Sequence, residues 1–147
     1  MQASFLNLLR DLQAENHNAI VFISHDLAVV GYLADQIAVM YLGRIMELAN
    51  SARLFVSPMH PYTEALLASI PKIDPGDSPE REPLEGDVPS QVDTPSGCPF
   101  HPRCPRFMGE ICRTEMPHWQ ENKFGDRIFC HIPLEELRAV QQAAGAR

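Results

Sequence analysis

Positive charge is scarce in this chain: Lys and Arg number 12 against 19 Asp and Glu, a formal net charge of −7. A nucleic-acid binder needs a basic face to displace counterions from phosphate, and a lipid-binding patch needs clustered Lys and Arg, so the balance argues against both. Long apolar runs are also missing. Leu27 to Ala34 and Ile37 to Leu42 fall far short of the ~18–20 residues of a spanning helix. The opening stretch MQASFLNLLRDLQ has no early basic cluster and no small-residue cleavage site, so it does not read as a secretory signal. A soluble, cytoplasmic protein is expected. Cysteine is absent before position 98, and only Pro58 and Pro61 of the 13 prolines fall before position 71. With 147 residues the chain holds one ordinary domain or two small units.

Composition changes sharply after position 70. Nine prolines fall between Pro71 and Pro105, which excludes long helices and central strands there because each removes a donor and fixes φ. From Asp74 to Asp93 there are seven acidic residues against Arg81 alone, the composition of a solvated linker or an extended strap.

The first segment is regular by contrast. Phe5, Leu8, Leu9 and Leu12 follow helical spacing, predicting an amphipathic helix over roughly 2–15 that stops at Asn16-His17-Asn18. Ala19-Ile20-Val21-Phe22-Ile23 is a continuous β-branched run, expected to be a strand covered on both faces in a parallel sheet. Asp26 is placed to cap a short helix over Leu27 to Leu33. Ile37 to Tyr41 and Arg44 to Leu48 predict two strands around Leu42-Gly43. Helix, buried strand, polar turn, helix and strand make an α/β arrangement. Ligands in such sheets sit beyond strand C-terminal ends, where His25 falls, so His25 is a candidate for facing a bound phosphate or a reacting water. Pro61 at a first helical turn, followed by Thr63-Glu64-Ala65-Leu66-Leu67, predicts a further helix, with His60 and Tyr62 structural.

Four cysteines lie in the last third, Cys98, Cys104, Cys112 and Cys130, spaced C-x5-C-x7-C-x17-C. Structural disulfides are disfavoured in a reducing compartment. Scattered core thiols would not gather in a Pro-rich segment with little apolar sequence to bury them. A tetrathiolate site accounts for the clustering, since soft sulfur suits an iron–sulfur cluster or Zn²⁺; the absence of C-x2-C pairs weighs against zinc. His101, His118 and His131 are substitute ligands.

Ile20-Val21-Phe22-Ile23-Ser24-His25-Asp26-Leu27 resembles the last core strand and switch histidine of the ATP-binding subunits of ABC transporters. Tyr41-Leu42-Gly43-Arg44-Ile45-Met46-Glu47 resembles the antiparallel pair that follows it. Pro58-Met59-His60-Pro61-Tyr62-Thr63-Glu64-Ala65-Leu66-Leu67 and Gly97-Cys98-Pro99-Phe100-His101-Pro102-Arg103-Cys104 are similar to the C-terminal extension of the oligopeptide/dipeptide import subgroup. The resemblance implies an α/β fold: residues 1–55 as the C-terminal part of a P-loop ATPase domain, and 56–147 as a Pro-rich, irregular, metal-binding extension. Within the extension a linker is expected at 71–95 and a cysteine cluster region at 97–131.

The resemblance gives His25 a place at the γ-phosphate and favours a 4Fe–4S cluster, with zinc the alternative, on Cys98, Cys104, Cys112 and Cys130. It implies ATP and Mg²⁺ in a full-length protein only. The sequence has no G-x-x-x-x-G-K-[ST], no LSGGQ-like signature and no apolar strand ending in Asp-Glu, all of which precede the opening helix in that family. The chain is thus expected to be a fragment of the ATP-hydrolysing subunit of an importer for peptides or related small nutrients, inactive alone. Its implied partners are the transporter's membrane subunits and a second ATP-binding subunit at the inner face of the cell membrane. An isolated chain with exposed apolar faces is expected to self-associate. The competing function class is a free-standing metal-binding or interaction module.

Overall fold

The computed structural model describes residues 2–70, 87, 89–90 and 92–145. Helix α1 covers Gln2–Asn16 and stops where His17 takes φ 54°, a left-handed residue that ends the helical ladder. Helix α2 covers Leu27–Leu33, and the Asp26 carboxylate accepts from the main-chain N–H groups of Ala28 (3.0 Å) and Val29 (3.2 Å). This is the cap expected from the sequence: two of the helix's unpaired donors find an acceptor.

Strands β1 (Gln36–Tyr41) and β2 (Arg44–Asn50) form an antiparallel hairpin. Its two-residue turn places Leu42 at φ 45° and Gly43 at φ 76°. Both are left-handed, the geometry that matches the strand twist of a tight hairpin. Leu42 tolerates this conformation while packing against the Tyr41 and Met46 cluster. In β1 the alternation is regular, with Ile37, Val39 and Tyr41 buried. In β2 it breaks: Val39 pairs with Glu47 and Met40 with Ile45, leaving Met46 as an extra residue. The bulge puts two consecutive side chains, Met46 and Glu47, out of contact with solvent.

Helix α3 (Ser51–Val56) follows β2 directly, and α4 covers Pro61–Ala68 with Pro61 in its first turn. In the last third, α5 (Glu110–Thr114) is followed by strands β3 (Trp119–Glu121) and β4 (Arg127–Phe129) and helix α6 (Leu134–Gly145). The described strands form one antiparallel sheet in the order β1-β2-β4-β3. Strand β4 pairs with β2 at Glu47–Ile128 and Leu48–Arg127. The sheet therefore runs across the boundary expected near 55/56.

Two expectations need correction. The run Ala19 to Ile23 is not a strand: Val21 and Ile23 are each 91% exposed, and no described strand pairs with the segment. A strand of a parallel sheet takes its hydrogen bonds from neighbours on both sides, and without them a β-branched run has nothing to hold it. The extension is also more regular than its proline content suggests. Its prolines past residue 105 fall outside β3, β4 and α6, which leaves those elements free to form. The expected linker at 71–95 lies largely outside the described residues. None of the described helices is long and apolar enough to cross a membrane.

Three buried clusters stabilise the fold. Ile37, Val39, Ala49 and Leu54 pack under α2, α3 and α4, with Val30, Phe55, Leu66 and Leu67 around them. Tyr41, Met46, Cys98, Phe100, Cys112 and Phe129 form the second, and Met59, Ile128, Cys130, Ile132 and Leu137 the third. Between them lies the Glu47 carboxylate, which accepts from the main-chain N–H of Met59 (2.9 Å) and His60 (2.9 Å). Burial raises its pKa above the usual value, although the Thr63 hydroxyl and those two N–H groups pull it down. In Glu47→Ala both donors are left buried without an acceptor, at about 1–3 kcal/mol each. Urea unfolding should show Glu47→Ala destabilised by roughly 2–5 kcal/mol and Glu47→Gln by less, because the amide keeps one acceptor. Equal midpoints for parent and alanine variant would show that water replaces the carboxylate at no cost.

Candidate metal centre

Each of the four cysteines is positioned by a different local device. Gly97 has φ +65°, and a Cβ there would lie 2.5 Å from the main-chain oxygen of Cys112, so only glycine allows the two segments to approach. The next residue closes that approach: the N–H of Cys98 donates to the Cys112 carbonyl at 2.9 Å. From Cys98 the chain winds through tight turns, His101 N–H to Cys98 O (3.0 Å), Arg103 N–H to Phe100 O (3.0 Å) and Cys104 N–H to His101 O (3.3 Å). A 3-10 turn at His101–Arg103 thus brings Cys104 back toward Cys98. Cys112 is carried on α5. Cys130 directly follows β4, where Gln120 donates to the carbonyls of Cys130 (2.7 Å) and Ile132 (2.9 Å) and accepts from the N–H of Leu134 (3.1 Å).

Cys98, Cys112 and Cys130 are buried, and Cys104 is half-buried. Burial pushes the Cys104 thiol up to about 12, and Cys130, Cys98 and Cys112 add to the shift. Burial likewise pushes Cys130 up to about 11, with Cys98 and Cys112 contributing, and raises Cys98. Cys98 and Cys112 share one buried cluster with Cys104 packed against it, and Cys130 belongs to another. Main-chain N–H groups of Phe100, Arg106 and Ile132 act in the opposite direction and favour the thiolate. The donor set is soft and chemically suited to iron–sulfur or zinc. Among the described residues, however, no group of three or more His, Cys, Asp or Glu side chains is arranged to hold a metal ion. Proximity is present; a closed ligand set is not.

His25 stands apart from this region. It is exposed on the bend that precedes α2, one residue before the Asp26 cap. Two of the substitute ligands make other contacts: His101 Nδ1 lies 2.9 Å from the Cys98 carbonyl, and His131 Nε2 lies 2.9 Å from the Glu115 carbonyl; His118 is exposed.

Around the cysteines the sequence matches known proteins. The family model described as "Oligopeptide/dipeptide transporter, C-terminal region" covers residues 46–112. Over those residues the chain is similar to the C-terminal region of oligopeptide/dipeptide transporters. It is similar to the Probable peptide ABC transporter ATP-binding protein y4tS of Sinorhizobium fredii, with 52% identity over 90% of this chain and 37% of that protein. It is also similar to the Dipeptide transport ATP-binding protein DppF of Haemophilus influenzae, with 45% identity over 90% of this chain and 40% of that protein. The chain therefore spans about two-fifths of the length of these relatives.

Residues that pattern alone did not single out tie the hairpin and α3 to later parts of the chain. Glu47 was visible in the sequence only as a strand residue, because the bulge that turns it inward has no sequence mark. Asp126 is 4% exposed and is held below the usual carboxylate range, at about 2, chiefly by hydrogen bonds from Arg53. Its one local signal was the turn chemistry of Asn122 and Gly125 just before it.

His60, expected to be structural, is buried at 1% exposure and caps α4. Its Nδ1 accepts from the N–H of Tyr62 at 3.0 Å, which assigns the proton to Nε2, facing the Phe129 carbonyl. Burial drives its pKa from 6.5 down to about 3. The unfolded chain takes up a proton that the folded imidazole refuses, so stability is lost as pH falls below 6.5 toward 3. His60→Asn keeps a cap acceptor but cannot titrate. Its urea midpoints should lose the acid slope that the parent shows; an unchanged slope would assign the slope to other groups.

Proposed function

We propose that this chain acts within the ATP-hydrolysing subunit of an ABC importer for peptides or related small nutrients. The observation that carries this is the 45–52% identity, along about 90% of the chain, to proteins named for peptide and dipeptide transport and ATP binding. The likeness runs through the hairpin and the cysteine region together, which favours this reading over a free-standing metal-binding or interaction module. Residues 1–55 would serve the ATP-binding domain and 56–147 the extension.

In that setting His25 would contact the terminal phosphate and help align the attacking water, an electrostatic and positioning task suited to an exposed imidazole beside a capped helix. ATP and Mg²⁺ would be held in a longer protein by the phosphate loop, signature and acidic strand that this sequence lacks. The partners would be membrane subunits and a second ATP-binding subunit, with the protein cytoplasmic and peripheral on the inner face of the cell membrane. Alone, the chain would self-associate through the exposed Phe5, Leu8, Leu12, Val21 and Ile23.

Cys98, Cys104, Cys112 and Cys130 would hold a 4Fe–4S cluster, with zinc as the alternative. Bound there, a metal–thiolate group supplies a cross-link between the Cys98–Cys104 turns, α5 and the end of β4. The chain's own contribution is the convergence of those three elements, and the main-chain N–H groups that favour the thiolate form. The burial that holds the thiols protonated is reversed once a cation supplies opposite charge.

Two experiments test these roles. The chain alone is expected to release no phosphate from ATP above a protein-free blank; release that disappears in His25→Ala would refute this. In a complete subunit, His25→Ala should lower turnover strongly with ATP binding nearly unchanged, and equal loss of both would remove the histidine from the phosphate. Protein purified without oxygen should be brown, with iron and acid-labile sulfide at about four each per chain. Stoichiometric zinc in that sample, or four free thiols with no metal, would overturn the cluster.

A further inference from the structure

Helix α2 has seven residues and none of them is buried. So short a helix is not stable by itself, because nucleation costs more than one or two turns of hydrogen bonds return. Its position must come from its neighbours. Asp26 caps its first turn, and Tyr32 reaches α1 through a 2.6 Å hydrogen bond to Asn7. The Arg10 guanidinium of α1 also lies 5.1 Å from the Tyr32 ring centroid, and Val30 packs on the buried Ile37, Val39, Ala49 and Leu54. Further tethers lead to α3. The Phe55 ring lies so close to Gly31 that a Cβ there would sit 2.6 Å from Cε2. Ser51 Oγ approaches the Gly31 carbonyl at 3.5 Å, and the Ser51 N–H (2.9 Å) and Asn50 Nδ2 (3.2 Å) both donate to the Asp35 carbonyl just beyond α2.

Helix α3 is itself only six residues long; Leu54 anchors it on Ile37, Val39 and Ala49, and further bonds reach it from the far end of the sequence. Asp126 Oδ1 accepts from the N–H of Asn50 (3.0 Å) and from Arg53 Nη2 (2.7 Å), and Oδ2 accepts from Arg53 Nε (2.7 Å). Asn122 Nδ2 supplies a further donor at 3.0 Å. One buried carboxylate thus takes a two-pronged arginine and the N–H of the α3 cap residue across more than 70 positions of sequence. The same Asp126 directly precedes β4, which Cys130 follows.

We propose that Asp126 is a positioning residue through which the cysteine-bearing extension, acting by way of α3, sets the helix that follows His25 and so the histidine itself. The link rests on the reading of His25 as the phosphate-facing residue for its functional meaning, but not for its physical existence. A static run of contacts shows only that the elements touch; the coupling lies in a measurable loosening of α2 when the remote carboxylate is altered.

The test uses the isotopically labelled 147-residue chain. Hydrogen exchange is followed at the Val30 and Ala34 amides, which bond to Asp26 O and Val30 O, together with the His25 ring signals. Asp126→Asn should speed exchange at both amides by about tenfold, one step of 1.4 kcal/mol in opening free energy, and shift the His25 signals. Arg53→Lys keeps the charge but loses the fork, and should give a smaller change in the same direction. Glu64→Gln, which breaks the ion pair of the extension's Arg106 with α4, should leave α2 and His25 as they are. If Asp126→Asn changes only the amides of Asn50 and residues 122–126, the carboxylate does no more than close its own turn and the proposal falls. Should that variant not fold, Arg53→Lys decides alone, and unchanged α2 exchange overturns the link. In a complete subunit, Asp126→Asn should lower kcat and leave the KM for ATP near the parent value. Loosened α2 with unchanged kcat would mean that the histidine reading, and not the link, has failed.

Discussion

The charged oxygens of Glu47 are where the two halves of this protein meet. A carboxylate fully removed from solvent is expensive to ionise, and its raised pKa shows that burial outweighs its three donors. It is nonetheless kept, because the turn that leads into α4 presents the N–H groups of Met59 and His60 to the interior. Leaving those donors unpaired would cost more than holding a strained acid. The folded state grips the Glu47 proton more tightly than the unfolded chain, so this group subtracts from stability as pH rises through its shifted range. Its role is to specify geometry: the acid sets where the extension starts relative to the hairpin, and β4 then finds β2 at the neighbouring position.

Asp126 contrasts with Glu47 in electrostatics though both are buried. A guanidinium beside Asp126 lowers its pKa, whereas burial, with a small push from Glu64, raises that of Glu47. Stability from Asp126 is therefore present above the ordinary Asp range and is lost as pH falls toward 2. Cys98, Cys104 and Cys130 form a third environment, in which burial raises the thiol pKa. Three kinds of acid, three signs of charge balance, and each follows from what stands within hydrogen-bond reach.

Much of the first fifty residues was legible because their signals are local. The Asp26 cap, the Leu42-Gly43 turn and the alternation of Ile37, Val39 and Tyr41 depend on neighbours within a few positions. The Pro61 start of α4 was legible for the same reason. The run Ala19 to Ile23 misled because its composition reports what kind of sheet it suits, not whether the partner strands are present. In the last third, prolines concealed β3 and β4, which are only three residues each; β4 depends on pairing with β2 some eighty positions earlier, and β3 on pairing with β4. For the site, cysteine spacing pointed to a cluster; Cys98, Cys104 and Cys112 lie in one buried cluster and Cys130 in another, and closure into a ligand set is not visible among the described residues. Glu47 and Asp126 were illegible because a bulge and a long-range arginine give them their roles.

The pairing of β2 with β4 has a consequence for how such a chain can change over evolutionary time. The two strands are brought together across the Pro-rich acidic stretch, and the entropy of closing a loop grows only with the logarithm of its length. Doubling a connection of that kind costs about 0.6 kcal/mol, less than one ordinary hydrogen bond is worth. By that arithmetic the sequence length between α4 and the cysteine segment is lightly constrained, while Glu47, Arg53 and Asp126, in the elements on either side, are fixed by their partners. Selection on this fold should act on those three residues more than on that length.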